Sequence, residues 1–365
     1  MIEVLHIVPD DKFIDGFRFI DDSLIGHHST FLVKVQVLDQ SFRYLKYDYE
    51  NKIIWKRKEL QNIAFDFNKY DAIFFHTIDP FVFYLLNKIP NKIKIFWFYW
   101  GFEKFFLKNV NELYKQRTSA IKNRIDNEGV SKYNKLKKLI KFYRDRRLML
   151  KVLKRVDFCV TWVKGDFIEL KSILKSDIHF LSFFYYNKEY LGFESHFLSH
   201  RGIVVGNSAD PSNNHIDALE FLSNLNYKDE IIIPFSYGGT FEYRQKVMNY
   251  SKVCLQNLTL NFLTDFLPIS DYNGLIDSVG GFLFFHNRQQ AAGNYIAAFF
   301  MMKPVYFSDR TTIIDEFEDL GFILYSLDKF DKYSIDDLLI NCKIAHKLFT
   351  SENSIYNLSC IYKKI

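Results

Sequence analysis

Short apolar runs, each followed by a polar loop and a helical segment, occur in two separate series along this chain. The first series comprises IEVLHIVP (2–9), TFLVKVQVL (30–38), YDAIFFH (70–76), KIKIFWFYW (92–100) and VDFCVTW (156–162). Runs this apolar have little surface that suits water, so they predict strands of a parallel sheet that is covered on both faces. Strands that alternate with helices indicate an α/β architecture.

A second series of the same kind begins near residue 201. Its predicted strands lie in RGIVVG (201–206), EIIIPF (230–235), SVGGFLFFH (278–286) and KPVYFS (303–308). Helical segments separate these strands, so this half of the chain also predicts a doubly wound α/β domain.

The length of the chain agrees with two domains. A chain of 365 residues suits two domains of roughly 100–200 residues each. We predict an N-terminal Rossmann-like domain over 1–185, a linker over 186–200, a C-terminal Rossmann-like domain over 201–340, and a helical tail over 341–365.

Basic residues are concentrated in one part of the chain. Residues 104–155 contain 17 Lys and Arg against 4 Asp and Glu, whereas the remainder is net acidic. The segment 132–155 predicts a basic amphipathic helix. Its apolar positions, at roughly helical spacing, are Leu136, Ile140, Tyr143, Leu148, Leu150 and Leu153.

Two interpretations of this helix stay open. In the first, its apolar stripe packs on the core and its charges are solvated. In the second, the helix binds the anionic headgroups of a membrane. The basic residues chosen for membrane contact are Lys137, Lys138, Arg146 and Arg147. Nucleic acid is disfavoured as a partner, because no nucleic-acid motif is present and the rest of the chain would repel phosphate.

The sequence contains no recognised membrane span or signal peptide, and this pattern predicts a cytoplasmic location. No stretch reaches the roughly 20 apolar residues of a membrane span. The N-terminal MIEVLHIVPDD predicts a strand and lacks the basic region of a signal peptide. We therefore expect a cytoplasmic protein, and the basic helix suggests that it is peripheral on a membrane.

Several signatures of nucleotide and metal chemistry are missing. The first strand is not followed by GxGxxG, and no Walker A sequence occurs. No Asp-x-Asp motif, which commonly holds the ion of single-domain, metal-dependent nucleotide-sugar enzymes, is present either. A nicotinamide oxidoreductase is therefore disfavoured, and no metal site is expected.

The loop GNSADPSNNH (206–215) is the first candidate site. Small and polar residues between a strand and a helix present backbone N–H groups and hydroxyls, as phosphate-binding loops of α/β folds do. The candidate ligand-binding residues here are Gly206, Asn207 and Ser208, with Tyr237 from the loop after the next strand. Ordinary turn and helix-cap chemistry is the alternative explanation.

The second candidate is HNRQQAAGNY (286–295), where a strand ends and a helix begins with small residues. A helix start carries unpaired N–H donors and partial positive charge, and a guanidinium suits phosphate oxygens. The candidate residues are Arg288, Gln289, Gln290, Gly293 and Asn294. The alternative is a tight packing contact with one exposed arginine.

Acidic residues and histidines cluster at predicted strand ends in the first half of the chain. They are Asp10 with Asp11, His76 with Asp79, and Glu103 after WGF. Each residue alone is an ordinary turn or cap residue, but together they could line one face of a cleft opposite the second domain.

Three blocks of sequence resemble one known family. VGNSADPSNNHIDAL, FWFYWGFEKF and FHNRQQAAGNY are similar to segments of the 4-acetamido-4,6-dideoxygalactose (TDP-fucosamine-type) transferases of enterobacterial common antigen synthesis. Weaker similarity extends through HIVPDD, FCVTWVKGDF and IIIPFSYGG, in the same order over about 300 residues. The family segment carries Asp where this chain has Glu103, so the carboxylate is kept but its reach changes.

The resemblance implies a GT-B glycosyltransferase with two Rossmann-like lobes facing a central cleft. Such enzymes bind the nucleotide-sugar in the C-terminal lobe and the lipid-linked acceptor at the N-terminal lobe, without a catalytic metal. No cofactor is implied, since the TDP- or GDP-linked sugar is a substrate. The implied location is the inner face of the bacterial inner membrane, in surface polysaccharide synthesis such as O-antigen or common antigen.

The expected reaction moves a fucose-type or acetamido-dideoxy sugar to a hydroxyl of a lipid-linked saccharide. Backbone amides of 206–208 and 291–293, with Arg288, would stabilise the departing diphosphate. An inverting reaction also needs a general base, for which Glu103 is the first choice, His76 the second and Asp11 the third. The alternatives are a GT-B transferase with another acceptor, and a noncatalytic nucleotide-binding protein of the same fold at the membrane surface.

Overall fold

The computed structural model of the protein describes residues 1–9, 14–35, 47, 49, 51–54, 56–79, 82–107, 110–127, 131–192 and 201–365. The described strands are β1 (Ile2–Val8), β2 (His27–Val35), β3 (Asn51–Ile54), β4 (Ala72–His76), β5 (Lys94–Phe98), β6 (Phe158–Val160), β7 (His179–Leu181), β8 (Ile203–Val205), β9 (Glu230–Pro234), β10 (Thr259–Leu263), β11 (Phe282–Phe284), β12 (Val305–Phe307) and β13 (Tyr325–Ser326).

The described α-helices surround these strands. They are α1 (Ile14–Asp21), α2 (Arg57–Asn62), α3 (Phe83–Leu86), α4 (Lys104–Leu107), α5 (Gln116–Asn127), α6 (Lys132–Leu153), α7 (Lys164–Leu174), α8 (Lys188–Leu191), α9 (His215–Asn224), α10 (Phe241–Cys254), α11 (Ile269–Asp277), α12 (Ala292–Phe300), α13 (Thr312–Asp319), α14 (Ile335–Leu348) and α15 (Ser351–Tyr362).

The chain forms two compact units. The first unit comprises residues 1–108, 135–190 and 350–365, and the second comprises 109–134 and 191–349. This division differs from the continuous ranges expected from the sequence, because the segment around α5 belongs to the second unit and the last helix belongs to the first.

The placement of α5 has a physical cause. Asp217 on α9 accepts hydrogen bonds from the backbone N–H groups of Arg117 and Thr118 at 3.0 and 2.9 Å, so it satisfies two donors at the start of α5. Ile121 and Ile125 pack against the core of the second unit. The capping carboxylate is 100 residues away along the chain.

The first unit contains a parallel sheet whose described strands lie in the order β3-β2-β1-β4-β5-β6-β7. Alternate residues of β1 enter two different cores: Leu5 and Ile7 pack on one face of the sheet, and Val4 and Val8 on the other. Both faces are therefore covered, as the apolar runs predict. The last helix, α15, closes the second of these faces with Leu358, Ile361 and Tyr362.

The second unit repeats this plan. Its described strands are all parallel, in the order β10-β9-β8-β11-β12-β13, which is the Rossmann order with its reversal between β8 and β11. In the first unit the same reversal lies between β1 and β4. Ligands of such sheets bind outside the carboxyl ends of the strands at this switch point, so the two reversals mark where a site is expected.

Candidate functional site

The two predicted loops of the second unit lie on either side of its switch point. Loop 206–214 follows β8, and loop 285–291 follows β11, the strand beside it. Oδ1 of Asn213 lies 3.0 Å from Nε2 of His286, and the hydroxyl of Ser212 lies 2.9 Å from Oε1 of Gln290. The structure therefore joins the two sequence motifs into one polar cluster.

Asn213 organises the first loop from inside. Its Oδ1 accepts the N–H of Asn207 at 2.9 Å, and its Nδ2 donates to the hydroxyl of Ser208 at 3.1 Å. Gly206 has a φ of 71°, and a Cβ at this position would lie 2.6 Å from Oδ1 of Asn213. Glycine is therefore required here both by conformation and by close approach.

One expectation about this loop is wrong. The backbone N–H groups of Gly206 and Asn207 were expected to face a ligand, but they donate to Leu283 O and to Asn213 Oδ1. These two amides make hydrogen bonds within the protein, because the tight turn of the loop wraps around the Asn213 side chain. The backbone N–H of Asn207 is therefore already bonded within the protein, and the side-chain Nδ2 of Asn207 lies 3.3 Å from the hydroxyl of Tyr237.

The remaining predicted residues lie in the same cluster. Nδ2 of Asn294 donates to Gly206 O at 3.4 Å, which ties the first turn of α12 to the first loop. Helix α12 begins after Ala291, which has a φ of 63°, and no side chain caps this end. Gly293 is in the first turn, and Arg288 is half-buried with its guanidinium bonded to Gln289 O at 2.8 Å.

Three buried acceptor atoms in this cluster have no hydrogen-bond partner in the described part of the chain. They are Oδ1 of Asn207, Nδ1 of His286 and Oε1 of Gln289. Burial lowers the pKa of His286 well below its usual value, so the ring is neutral. Because Nε2 must donate to Asn213 Oδ1, Nδ1 is an acceptor. Unpaired buried acceptors are costly, and they suit the hydroxyl or N–H groups of a ligand.

A second polar cluster lies at the switch point of the first unit. His76 is the last residue of β4, and Thr77 follows it with a φ of 77°, a strained conformation for a β-branched residue. The Thr77 hydroxyl donates to Oε1 of Glu103 at 2.8 Å, and the N–H of Trp100 bonds to the same carboxylate. Asp11 lies outside the described residues.

Burial controls the chemistry of the two described base candidates. Glu103 is fully enclosed, and this burial raises its pKa to about 7 despite the hydrogen bonds it accepts. Burial also lowers the pKa of His76 well below its usual value. Both ring nitrogens of His76 are occupied, Nε2 by His6 at 3.0 Å and Nδ1 by the hydroxyl of Tyr185 at 2.9 Å.

Only part of the basic helix α6 is packed against the core of the first unit. Leu153 is buried in the core of the first unit, whereas Leu136, Ile140 and Tyr143 are 56–60% exposed. The interpretation in which the apolar stripe packs on the core therefore holds only for the C-terminal half of α6, and the N-terminal half presents its apolar side chains to solvent. Leu139 is exposed as well.

The predicted membrane-contact residues lie along the same helix. Lys137, Lys138 and Arg147 are exposed, and Arg146 is half-buried. Lys138 and Arg146 also line a cleft of about 210 Å³ whose apolar wall contains Phe106, Phe142 and Met149. Among the described helices, none is long and apolar enough to cross a membrane.

Comparison with known families assigns the chain. Residues 128–347, more than half of the sequence, match the family described as 4-alpha-L-fucosyltransferase, glycosyl transferase group 56. The chain belongs to glycosyltransferase group 56. It is therefore a glycosyltransferase, as predicted; the more specific assignment to the TDP-fucosamine transferases stays a prediction.

Solved structures agree on the fold of this group 56 transferase. Sucrose-phosphate synthase from Thermosynechococcus elongatus has a TM-score of 0.66 at 9% identity, with 100% of this chain and 99% of that chain covered. A glycosyltransferase from Rickettsia africae gives 0.62 at 10% identity, covering 100% and 98%. The Anabaena protein HepE, solved with UDP, gives 0.58 at 9% identity, with both chains covered fully. The predicted GT-B fold is confirmed.

Several residues of these clusters were not among the predicted site residues. Asn213 and His286 are inside the two predicted motifs, and only their contact across the switch point distinguishes them from neighbouring polar residues. His6 and Tyr185 were also missed. His6 is in the middle of an apolar strand run, where a polar residue is an available signal, whereas Tyr185 is one of 23 tyrosines and carries no such signal.

Proposed function

We propose that this group 56 transferase moves a fucose-type or acetamido-dideoxy sugar from a nucleoside diphosphate to a lipid-linked saccharide. The observation that carries the proposal is the cluster at the switch point of the second unit, which combines Arg288, an uncapped helix start and three unpaired buried acceptors. The family description, a 4-alpha-L-fucosyltransferase, supports a sugar of this type.

The cluster has two kinds of groups, and each suits a different part of the donor. The Arg288 guanidinium and the start of α12 offer positive charge to a diphosphate that gains charge as it leaves. The acceptor atoms of Asn207, His286 and Gln289 instead suit the hydroxyls of ribose or sugar, or an N–H of the base. The UDP bound to the Anabaena HepE protein supports a nucleotide at such a fold.

The acceptor side of the proposal relies on α6. Exposed Leu136, Leu139, Ile140 and Tyr143 alternate with lysines and arginines, the arrangement of a helix that lies in a lipid interface. Each surface cation contributes about 1 kcal/mol of attraction to an anionic membrane. We propose that this surface holds the enzyme on the inner face of the bacterial inner membrane.

The cleft beside α6 fits the same role. Its wall of Phe106, Phe142 and Met149 is apolar. Three cations, Lys138, Lys141 and Arg146, line it as well, together with one carboxylate, Asp145, which is paired with Arg144. An apolar wall with cationic neighbours suits one hydrocarbon chain that ends in a phosphate. We propose that the lipid part of the acceptor enters here.

A screen of nucleotide-sugars tests the function directly. Thermal shift with UDP-, GDP- and TDP-linked sugars identifies the base and sugar, since a ligand present at 100 times its Kd stabilises the fold by about 2.7 kcal/mol. Hits are then incubated with a lipid-linked saccharide, and transfer is followed by mass spectrometry. Stabilisation by one nucleotide-sugar and its transfer support the proposal. Absence of any stabilisation across the panel contradicts it.

A further inference from the structure

Six side chains of the first unit form one continuous hydrogen-bonded chain through its interior. The links run from Tyr185 to His76 at 2.9 Å, from His76 to His6 at 3.0 Å, and from His6 to Ser29 at 3.1 Å. Ser29 contacts the hydroxyl of Tyr362 at 3.3 Å, and Tyr362 donates to the carboxylate of Asp21. The chain crosses the switch point, because His6 is on β1 and His76 ends β4.

The direction of every hydrogen bond follows from the Asp21 end. A carboxylate accepts only, so Tyr362 donates its one proton to Asp21. Ser29 therefore donates its single proton to the hydroxyl of Tyr362 or to the Asp21 carboxylate, and in either case its oxygen accepts Nε2–H of His6. Hydrogen bonds from His27, Tyr362 and Ser29, with the nearby His6, outweigh the burial of Asp21 and lower its pKa to about 2, so it is ionised.

The hydrogen-bond directions at His6 and His76 are set by Ser29 and by the charge state of the two rings. Burial lowers the pKa of His6 to about 4 and that of His76 well below its usual value, so both rings are neutral. Nδ1 of His6 therefore accepts from Nε2–H of His76, and Nδ1 of His76 accepts from the hydroxyl of Tyr185. All donors point from Tyr185 towards Asp21, and each histidine has one defined tautomer.

The two ends of the chain differ in exposure. His6 and His76 are buried among aromatic rings: His6 stacks on Phe31 at 4.4 Å and His76 on Phe98 at 4.7 Å. Tyr185 is only partly buried, and its ring stacks on Trp100 at 4.7 Å. In such an apolar setting, aligned hydrogen bonds polarise one another. Tyr185 is therefore the more exposed end of this hydrogen-bonded chain.

We propose that this chain is a proton relay that serves the acceptor hydroxyl, with Tyr185 as the group that contacts the substrate. The inference rests on the proposed function. His76, His6, Ser29, Tyr362 and Asp21 are positioning residues that act through Tyr185, and Glu103 instead holds the loops around Thr77 and Trp100.

Three protons each move by one hydrogen bond, from the acceptor hydroxyl towards His6. The acceptor O–H breaks as its proton moves to the oxygen of Tyr185, whose own proton moves to Nδ1 of His76. Nε2–H of His76 then breaks, and a new N–H bond forms at Nδ1 of His6. His76 ends neutral in its other tautomer, Tyr185 ends neutral, and His6 ends as an imidazolium that the Asp21 carboxylate stabilises. The acceptor oxygen keeps its electron pair for attack on the sugar.

Ser29 provides the sharpest test, because its hydrogen-bond partners are His6 and Tyr362, and it makes no hydrogen bond to Tyr185 or His76. In Ser29→Ala the two histidines lose the group that orients them, whereas Ser29→Thr keeps the hydroxyl and suits a strand. The tautomer of His76 is read from long-range ¹H–¹⁵N correlations of ¹⁵N-histidine-labelled protein, with His76→Gln to assign the signals. We expect Nδ1 of His76 to be unprotonated in the wild type and Ser29→Thr, and partly protonated in Ser29→Ala.

Kinetics complete the test. Ser29→Ala should lower kcat about tenfold with an unchanged KM for the nucleotide-sugar, and Tyr185→Phe should lower it by about a hundredfold or more, the range of acid–base catalysis. An unchanged tautomer in Ser29→Ala, or a changed tautomer with wild-type kcat, overturns the relay. If wild-type protein shows the expected tautomers but transfers no sugar to any acceptor, the proposed function fails while the orientation of the chain stands.

Discussion

Oδ1 of Asn213 lies 3.0 Å from Nε2 of His286, and this contact joins the loops that flank the switch point of the second unit. The same oxygen accepts the backbone N–H of Asn207, so the buried side-chain amide of Asn213 fixes the two loops relative to each other. Two sequence motifs about 70 residues apart thereby form a single cluster.

Asn213→Asp tests this organising role. Aspartate keeps the shape but loses the Nδ2 donor to Ser208 and buries a charge, so we expect a loss of about 2–4 kcal/mol in the free energy of unfolding. Urea denaturation measures it. Asn257→Asp is the matched control, because Asn257 makes a similar pair with Ser223 at an exposed position. Equal effects of the two substitutions contradict the role given to Asn213.

Arg288→Ala should weaken nucleoside-diphosphate binding by about 1.5–3 kcal/mol, the contribution of a charge-assisted hydrogen bond. Isothermal titration calorimetry with the diphosphate identified by thermal shift gives the affinity. Arg201→Ala serves as control, because Arg201 precedes β8 and so lies at the opposite edge of the same sheet. Unchanged affinity in Arg288→Ala removes this residue from the site.

Sugar transfer should persist in excess EDTA. The chain has no Asp-x-Asp motif, and the proposed leaving-group stabilisation comes from Arg288 and the start of α12. Initial rates are compared with and without chelator, and again after magnesium or manganese is restored. A full loss of activity that either ion reverses contradicts the proposed mechanism.

Charge reversal on α6 tests the membrane surface. Replacing Lys137, Lys138, Arg146 and Arg147 by Glu should release the protein from vesicles with 30% anionic lipid, measured by sedimentation at about 0.1 M salt, where screening extends over about 10 Å. Nucleotide binding should be retained, because solvent-facing charges contribute little to stability. The matched control replaces four exposed lysines of the second unit by Glu: Lys329, Lys332, Lys343 and Lys347.

A second variant keeps Arg146 and replaces only Lys137, Lys138 and Arg147 by Glu. It separates an effect on folding from an effect on membrane binding, since Arg146 is half-buried and the other three residues are exposed. Transfer to a short soluble acceptor should survive the reversal, and transfer to a membrane-embedded acceptor should drop. If the wild type does not sediment with anionic vesicles, or the reversed protein still does, α6 is only a solvated surface.

Glu103 makes the stability of the protein depend on pH. Burial raises its pKa from 4.5 in the unfolded chain to about 7, so the folded state binds more protons between these values. The free energy of unfolding should therefore fall as pH rises from about 4.5 through 7, by on the order of 3 kcal/mol for this group. Glu103→Gln should remove that slope, as urea denaturation at pH 5 and pH 8 measures. An identical slope in both proteins contradicts the assigned pKa.

Much of the fold was predictable because parallel strands that are buried on both faces leave long apolar runs. The runs at β1, β4, β5, β9 and β12 are of this kind, and all five form strands. Strands β3, β7, β10 and β13 were not predicted. They lie at or next to the sheet edges, where partial exposure permits polar residues and the apolar signal is lost.

The candidate site was predictable as two loops but not as one cluster. Carboxyl ends of parallel strands share one edge of a sheet, so the motifs after β8 and β11 could be expected near each other. The contact between Asn213 and His286 depends on the order of strands, which no local pattern encodes. The relay from Tyr185 to Asp21 is harder still, since its last links come from Ser29 and from Tyr362, 333 residues apart.

The division of the chain into two units limits how this enzyme is made. The polypeptide passes between the units four times, so neither unit is a continuous stretch and no single truncation isolates one. Tyr362 belongs to the core of the first unit and to its hydrogen-bonded chain. During synthesis on the ribosome, the interior of that unit can close only after α15 has been made, and a stop codon before α15 leaves the face that this helix covers exposed.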